Sequence, residues 1–250
     1  MITGLIITYN EQKHISEVIK NIDFVDEIIV VDSYSTDDTI KIINSFPKVK
    51  LYQKKFEDFT SQRNYALSLA SHDWILFIDA DERVTPKLKE EIIQTSNGIN
   101  TKDAYYFYRK FMYKGKHLRF SGWQTDKNFR LFKKSKASYV SQRLVHETLE
   151  VNGSIGILKH KLIHYSFEDY DIYKSKMRSY GKLRAKELMI KGKKPTLYHF
   201  FIKPLYKFLH DYLFRLGFLD GKKGIVICYL NAFGVYTRYV ELKKLVKEHA

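Results

Sequence analysis

The sequence predicts an α/β fold: an open, mostly parallel central sheet flanked by helices, with a helical C-terminal extension. Three observations carry this expectation. In the first hundred residues, short apolar runs alternate with helical patterns, the βαβ signature. The run Glu27-Ile28-Ile29-Val30-Val31-Asp32 is continuously apolar inside, as a strand covered on both faces is. Beyond about Glu168 the pattern turns helical and strongly aromatic. The 250 residues, 44% of them hydrophobic, suffice for one large domain plus an appendage.

Gly4-Leu5-Ile6-Ile7-Thr8-Tyr9 forms the first strand, and Asn10 caps a following helix with Glu11 in its first turn. Glu27 to Asp32 is the second strand. A polar loop, Ser33 to Asp38, leads into a short helix from Thr39 to Phe46. Val49 to Tyr52 is the third strand and Thr60 to Ala70 a helix. Trp74-Ile75-Leu76-Phe77-Ile78 is the fourth strand, ending in Asp79-Ala80-Asp81-Glu82. Thr85-Pro86 then supplies an N-cap and an N1 proline. Ala104 to Tyr113 is strand-like, Lys114-Gly115-Lys116 a turn, and Phe129 to Phe132 and Arg143 to Glu147 further strands or strand ends. Tyr198, Phe201, Ile202, Leu205, Leu209, Tyr212, Leu213 and Leu216 follow helical spacing, with Pro204 kinking or beginning that helix. Gly221 and Gly224 break it, and Ile225 to Tyr239 starts the last helix.

The formal charge of +15, from 43 Lys+Arg against 28 Asp+Glu, attracts polyanions: nucleotides, nucleic acid or an anionic lipid surface. The acids thin out beyond Lys102. A single cysteine, Cys228, forms no intramolecular disulfide, which points to a reducing compartment. Met1-Ile2-Thr3-Gly4 has no basic segment before the apolar run and reads as a core strand, not a secretory signal. No eighteen apolar residues run together, so the expected place is the cytoplasm or a membrane face.

In an open parallel sheet, ligands sit outside the carboxyl ends of the strands. Tyr9, Asn10, Glu11, Asp32 and Asp79 to Asp81 all lie there, on three strands that converge on one crevice. Asp79 and Asp81, at positions i and i+2, face the same way. Two carboxylates so spaced can hold a divalent cation through oxygen and leave positions for a pyrophosphate. The cation would neutralise charge growing on a departing diphosphate. A bare Asp-x-Asp is also a common pair of solvated acids; the buried strand before it favours the site.

Leu5-Ile6-Ile7-Thr8-Tyr9-Asn10-Glu11, Val30-Val31-Asp32-Ser33-Tyr34-Ser35-Thr36-Asp37, Gln62-Arg63-Asn64-Tyr65-Ala66 and Asp79-Ala80-Asp81-Glu82 together resemble glycosyltransferase family 2. Within it, the sequence is similar to the bacterial lipopolysaccharide-core glycosyltransferases. The likeness extends to Arg130-Leu131-Phe132, Val145-His146-Glu147 and Gly217-Phe218-Leu219-Asp220-Gly221. The resemblance implies a GT-A fold, a nucleoside-diphosphate sugar donor and inversion at the anomeric carbon. It implies a catalytic domain over 1–167, with a nucleotide-binding half (1–100) and an acceptor-side half (101–167), and an extension over 168–250. It assigns nucleotide binding to Thr8, Tyr9, Asn10, Glu11, Asp32, Arg63 and Asp79. Tyr9 would pack on the base, Glu11 and Asp32 would receive hydrogen bonds from the nucleoside, and Arg63 would contact the nucleotide or brace its acids. Asp79 would approach the ribose or the metal. Asp81, with Asp79, would hold Mn²⁺ or Mg²⁺. From the residues alone, His146 and His164 read as late metal ligands or phosphate donors, although a lone histidine is more often structural, and His164 is kept with the metal residues. Arg130 is expected to face the donor phosphates from among Phe129, Leu131 and Phe132 of the core. Glu147 would be the general base that takes the proton of the attacking hydroxyl.

Three features bear on that resemblance. Tyr34 stands where many members have glycine, so the loop after Asp32 is expected to follow a different path. His146-Glu147 replaces the usual Glu-Asp of the base motif, and Asp126 is the next acid to consider. Gln142-Arg143 is not followed by the tryptophan of processive synthases, which argues for addition of one sugar. The resemblance suggests a uridine nucleotide and, as acceptor, an envelope glycolipid such as lipopolysaccharide core, or another cell-surface saccharide. A nucleotidyltransferase would want a Gly- and Lys-rich phosphate loop near the first strand, and Thr8-Tyr9-Asn10-Glu11 is not one. A nucleic-acid-binding module is opposed by the acids at the strand ends, so no nucleic-acid partner is expected. Two readings of the tail stay open. Its aromatic stripe is core between packed helices, or Lys203, Lys207, Arg215, Lys222 and Lys223 flank an interfacial platform on the anionic cytoplasmic face of a membrane.

Overall fold

In the computed structural model, β1 (Ile2–Thr8) pairs in parallel with β2 (Glu27–Asp32) on one side and β4 (Trp74–Phe77) on the other; β3 (Val49–Gln53) extends β2, again in parallel. The structure describes residues 1–140, 148–167 and 169–248. Every residue of β2 and β4 is buried, because successive side chains point to opposite faces and both faces are covered. Ile6, Val30 and Leu76 share one core with Ile15, Val18 and Ile19 of α1 (Ile15–Asn21), Ile43 of α2 (Thr39–Asn44) and Leu88 and Ile92 of α4 (Pro86–Asn97). Leu5, Ile29, Val31, Ile75 and Phe77 share the other with Ala66 and Leu67 of α3 (Phe59–Leu69).

Parallel pairing is confined mainly to that half. β8 (Lys127–Lys133) lies antiparallel against both β4 and β6 (Ala104–Tyr113), and β5 (Glu82–Arg83) pairs antiparallel with β12 (Leu162–Phe167). The strand order is β3-β2-β1-β4-β8-β6-β12-β5. β7 (Lys116–His117) and β11 (Ile155–Ile157) pair with β6, while β9 (Ala137–Val140) and β10 (Thr148–Val151) form a separate ribbon.

Asn10 does not cap a helix. It sits in the left-handed region at φ 54°, a conformation asparagine tolerates, and α1 starts only at Ile15. Its polar groups are used across the chain: its amide donates to Ser35 Oγ (2.8 Å), and its side-chain oxygen accepts from the Thr36 amide (2.8 Å). Thr85 does cap α4, accepting from the Leu88 amide at 3.3 Å, with Pro86 in the first turn. Asp58 caps α3. The expected strand at Arg143 to Glu147, and with it Glu147 and His146, lies outside the described residues.

The chain divides into two compact units: Met1–Arg109, Asp126–Gln142 and Glu147–His164, and Lys110–Thr125, Arg143–His146 and Tyr165–Ala250. In the second, α5 (Tyr170–Ile190) and α6 (Leu197–Leu209) pack on α7 (Lys222–Glu248). Gly221, at φ 62°, ends the turn before α7, but Gly224 breaks nothing and lies inside that helix. A Cβ there would fall 1.8 Å from the Gly217 carbonyl oxygen, so glycine permits a close backbone approach. Pro204 lies within α6 and does not begin it. No residue of α6 is buried, so its aromatic stripe is not core, contrary to the simpler of the two readings. Among the described residues no helix is long and apolar enough to cross a membrane.

Glu27 ties the first unit together. Buried at the start of β2, it accepts from Thr3 Oγ1 (2.7 Å), the Ser71 amide (2.9 Å) and hydroxyl (2.8 Å), and Lys50 Nζ (2.7 Å). Burial raises its pKa, but Lys50, Ser71 and Thr3 together outweigh burial and lower it from 4.5 to about 2. The folded pKa lies below the unfolded one, so the ionised form stabilises the fold fully above 4.5 and progressively less as pH falls to about 2. Glu27→Gln should therefore cost about 2–3 kcal/mol near neutrality. Urea unfolding should show that difference shrinking as the pH is lowered through the same window.

Candidate functional site

The carboxyl ends of β1, β2 and β4 bring Thr8, Tyr9, Asp32 and Asp79 to one edge of the first unit, with Thr8 and Asp32 directly paired in register. Tyr9 is 57% exposed, whereas Asp32 is wholly buried. The Asp32 carboxylate accepts from the Ser35 amide (2.8 Å) and hydroxyl and from Gln53 Nε2 (3.4 Å). It organises the loop that follows it. Tyr34 in that loop holds φ 61°, so the chain keeps a glycine-like path despite the side chain. The bonds at Asp32 and Asn10 offset that strain. Glu11 is anchored through its amide, which donates to Thr39 Oγ1 (2.9 Å). The Thr8 hydroxyl is buried with no hydrogen-bond partner among the described residues, an acceptor and donor left for a ligand.

Asp79 sits between two guanidinium groups. Arg63, on α3, donates to one oxygen at 3.0 Å, and Arg130, on β8, donates to the other. Arg63 is itself buried and lies over the Phe77 ring, 4.5 Å from its centroid, with Tyr139 at 5.4 Å. Its guanidinium braces the Asp79 carboxylate. Arg130 does not open toward donor phosphates: it is buried, and it also donates to Glu82 Oε1 at 2.7 Å. Desolvation would raise the Asp79 carboxyl, but Arg130, then Arg63 and Arg109, outweigh it and hold the group well below the usual carboxylate range. Arg130 is pushed up in turn: burial opposes its charge, but Asp79 and Glu82 outweigh burial.

The network continues. Arg109 reaches Glu82 Oε1 (3.4 Å) and Asp126 Oδ2 (2.5 Å), so Asp126 is committed to an ion pair. Glu82 is completely buried and accepts from the Asp79 amide at 3.1 Å. Sequence reasoning missed Glu82 and Arg109 as members of the site. The available signal was the density of acids in Asp79-Ala80-Asp81-Glu82, which demands countercharges from elsewhere.

Asp81 faces His164, with Oδ2 3.1 Å from Nε2. The antiparallel register that sets His164 of β12 opposite Glu82 of β5 makes this contact. Among the described residues no three His, Cys, Asp or Glu side chains gather into a closed metal cage. Asp81 and His164 instead fit an open two-ligand site, the kind a hard divalent cation completes with phosphate oxygens and water. Asp79, with both oxygens on arginines, is poorly disposed to be a third ligand.

Residues 4–147 match the family described as Glycosyl transferase family 2. An uncharacterized glycosyltransferase of Rickettsia typhi is 30% identical over 255 residues, spanning 98% of this chain and 87% of the relative. The lipopolysaccharide core biosynthesis glycosyltransferase LpsC of Rhizobium meliloti is 27% identical over 253 residues, covering 95% of this chain and 93% of its own. Among solved structures, a mannosyltransferase from Pyrobaculum calidifontis, in complex with GDP-Man and Mn²⁺, superposes with a TM-score of 0.55 at 14% identity, over 96% of this chain and 86% of that one.

The arginine network sets a stability test. Arg130→Met leaves Asp79, whose side chain is 27% exposed, and the wholly buried Glu82 short of a shared cation. Loss of one partner of a buried ion pair costs roughly 3–5 kcal/mol. Guanidinium-chloride unfolding should register a loss of that size, and a loss under about 1 kcal/mol would mean that Asp79 and Glu82 do not depend on Arg130.

Proposed function

The chain belongs to glycosyl transferase family 2 and has the GT-A fold, and from that premise we propose that it moves one sugar, with inversion, from a nucleoside-diphosphate donor to an envelope glycolipid. The observation that carries this reading is the Asp81–His164 pair, 3.1 Å apart, beside a carboxylate already neutralised by two arginines. The donor is read as uridine-linked, from the resemblance of the motifs. The name of the LpsC relative supports lipopolysaccharide core as the acceptor class, with another cell-surface saccharide as the alternative.

The residues divide the work. Tyr9 offers its exposed ring to the base, and the unpartnered Thr8 hydroxyl meets the nucleoside. Asn10 and Glu11 hold the loop that frames it. Asp32 acts through Ser35, or directly once Ser35 swings away from it. Asp79, fixed by Arg63 and Arg130, presents a charge-balanced wall to the ribose. Asp81 and His164 would hold Mn²⁺ or Mg²⁺, which stabilises the diphosphate as negative charge grows on it. Glu147, assigned from motif position, takes the proton of the attacking hydroxyl. That hydroxyl enters opposite the diphosphate, and the configuration inverts.

We place the enzyme on the cytoplasmic face of the membrane, by way of α6. Leu197, Phe201, Leu205 and Tyr206 are all more than half exposed there, with Lys203 and Lys207 among them. Exposed apolar side chains suit a lipid interface, where the rings enter the acyl boundary, and the net charge of +15 favours an anionic one.

Two variants separate binding from transfer. Calorimetry with UDP should show that Asp81→Ala loses the Mn²⁺-dependent part of the affinity, whereas Glu147→Gln keeps it. Transfer by Glu147→Gln should fall roughly 10²–10⁴-fold, the usual worth of a positioned general base. Metal-dependent UDP binding unchanged in Asp81→Ala would remove that residue from the metal site, and near-normal transfer by folded Glu147→Gln would remove the base.

Membrane contact has its own measurement. Phe201→Ser combined with Phe214→Ser, both at exposed positions, should weaken co-sedimentation with phosphatidylglycerol vesicles by about tenfold or more. Wild-type protein that ignores such vesicles at low salt would exclude this surface as a lipid contact.

A further inference from the structure

The second unit contains a cavity of about 390 Å³ that the proposed donor chemistry does not use. Its lining includes Trp123, Tyr180, Arg184, Lys207, Asn231 and Arg238. Three cationic side chains and two aromatic rings around one small volume make an unusual wall for empty space.

The charges are unevenly answered. Arg184 pairs with Glu187 at 2.8 Å, and Lys207 Nζ lies 2.9 Å from the buried Asp211. Asn231 also donates to Asp211 (3.0 Å), while its own oxygen accepts from Tyr173 (2.5 Å). The Nε of Arg238 is buried and has no hydrogen-bond partner among the described residues. A guanidinium donor shielded from water without an acceptor is costly, and an anion in the cavity would supply the acceptor.

The wall is also held in place. Asp220, part of the Gly217-Phe218-Leu219-Asp220-Gly221 motif, accepts from the amides of Arg119 (2.9 Å) and Phe120 (3.0 Å) and from Ser121 Oγ (2.9 Å). Arg215 contributes its carbonyl to the Ser121 amide (3.2 Å) and to Gln124 Nε2 (2.7 Å). These bonds keep Ser121 at φ 63° and Gly122 at φ 93°, a backbone course that leads straight into Trp123. Strain at a non-glycine residue persists only where the surroundings over-determine it, and such places concentrate at binding sites. Trp123 is fixed further by the Phe111 ring, with centroids 4.4 Å apart.

We propose that this cavity binds a saccharide carrying a phosphate or carboxylate group. The anionic group would be taken by Arg238, with Arg184 and Lys207 beside it, and the apolar face of the sugar ring would lie against Trp123 or Tyr180. The proposal stands on the second unit alone. If the transfer reaction holds as proposed, it names the acceptor class: a glycan that carries an acidic sugar.

Wild-type protein, Arg238→Gln, Arg184→Gln and Arg238→Lys are titrated by ligand-observed NMR with glucose 6-phosphate, glucose and inorganic phosphate. UDP serves as a separate probe of the first unit. Glucose 6-phosphate is expected to bind wild type, with glucose and inorganic phosphate each about tenfold weaker or more, because only the sugar phosphate uses both parts of the wall. Arg238→Gln should lose about tenfold, the worth of one charge-assisted hydrogen bond, and Arg238→Lys should recover part of it. UDP affinity should be the same in all four proteins. Equal glucose 6-phosphate affinity in wild type and both glutamine variants overturns the proposal. So does absence of binding to wild type, inorganic phosphate binding as tightly as the sugar phosphate, or a loss that UDP affinity shares. Should Arg238→Gln fail to fold by circular dichroism, Arg184→Gln carries the same comparison. Because the readout is binding and not transfer, failure here and failure of the transferase reading are told apart.

Discussion

The carboxylate of Asp79 lies at the end of a buried strand with a guanidinium group on each side, and much of the first unit is arranged around that sandwich. Asp79, Glu82 and Asp126 stand close together through shared arginines. At about 4 Å in a protein environment two like charges repel by roughly 4 kcal/mol, so such a cluster cannot stay ionised without countercharges. The three arginines come from separate elements, α3, β6 and β8, which makes the acids a tie between a helix and two strands. Each arginine is buried or nearly so, and each would be costly if its acid were absent. The acids and the arginines therefore explain one another.

That balance shapes what remains for chemistry. With Asp79 and Glu82 occupied by arginines, Asp81 is the acid of the run that meets the imidazole of His164. Asp32 is likewise turned inward to its own loop, which leaves Tyr9 and the Thr8 hydroxyl as the parts of the edge best able to meet a ligand. The loop path through Tyr34 is held by hydrogen bonds on both sides, from Asp32 to Ser35 and between Asn10 and Thr36. A strained backbone fixed by side chains at the edge where the strands end is preorganised, so less order has to be imposed if a ligand binds there.

The second unit follows a different logic. Its cores are small: Phe111, Tyr113, Leu118, Tyr173, Ile227 and Leu230 form one, and Ala185, Tyr239 and Leu242 another. Close approaches at glycine compensate, as where Gly181 of α5 meets Thr237 of α7 with room for a Cβ only 3.0 Å away. Apolar side chains left over from these cores cover α6 on its open side, where solvent contact is unfavourable and a lipid interface would relieve it.

The βαβ half was readable from the sequence because continuous apolar runs and helix caps are local: the runs at Glu27–Asp32 and Trp74–Phe77 and the Thr85-Pro86 start write themselves into neighbouring residues. The placing of Tyr9, Asp32, Asp79 and Asp81 at or just beyond strand ends was legible for the same reason, since the end of an apolar run marks where a strand stops. What the local pattern misjudged depended on partners far along the chain. Asn10 looked like a cap and became a clasp because Ser35 and Thr36 were within reach. Arg130 looked like a phosphate ligand and became a buried counterion because Asp79 and Glu82 stood opposite it. The aromatic stripe of α6 has the same spacing whether it is packed or exposed, and only tertiary packing decided that α7 does not bury it. Sequence determined the periodicities and the chemical identities; tertiary structure alone decided which charges met, because ion pairing depends on distance in space and not on separation along the chain.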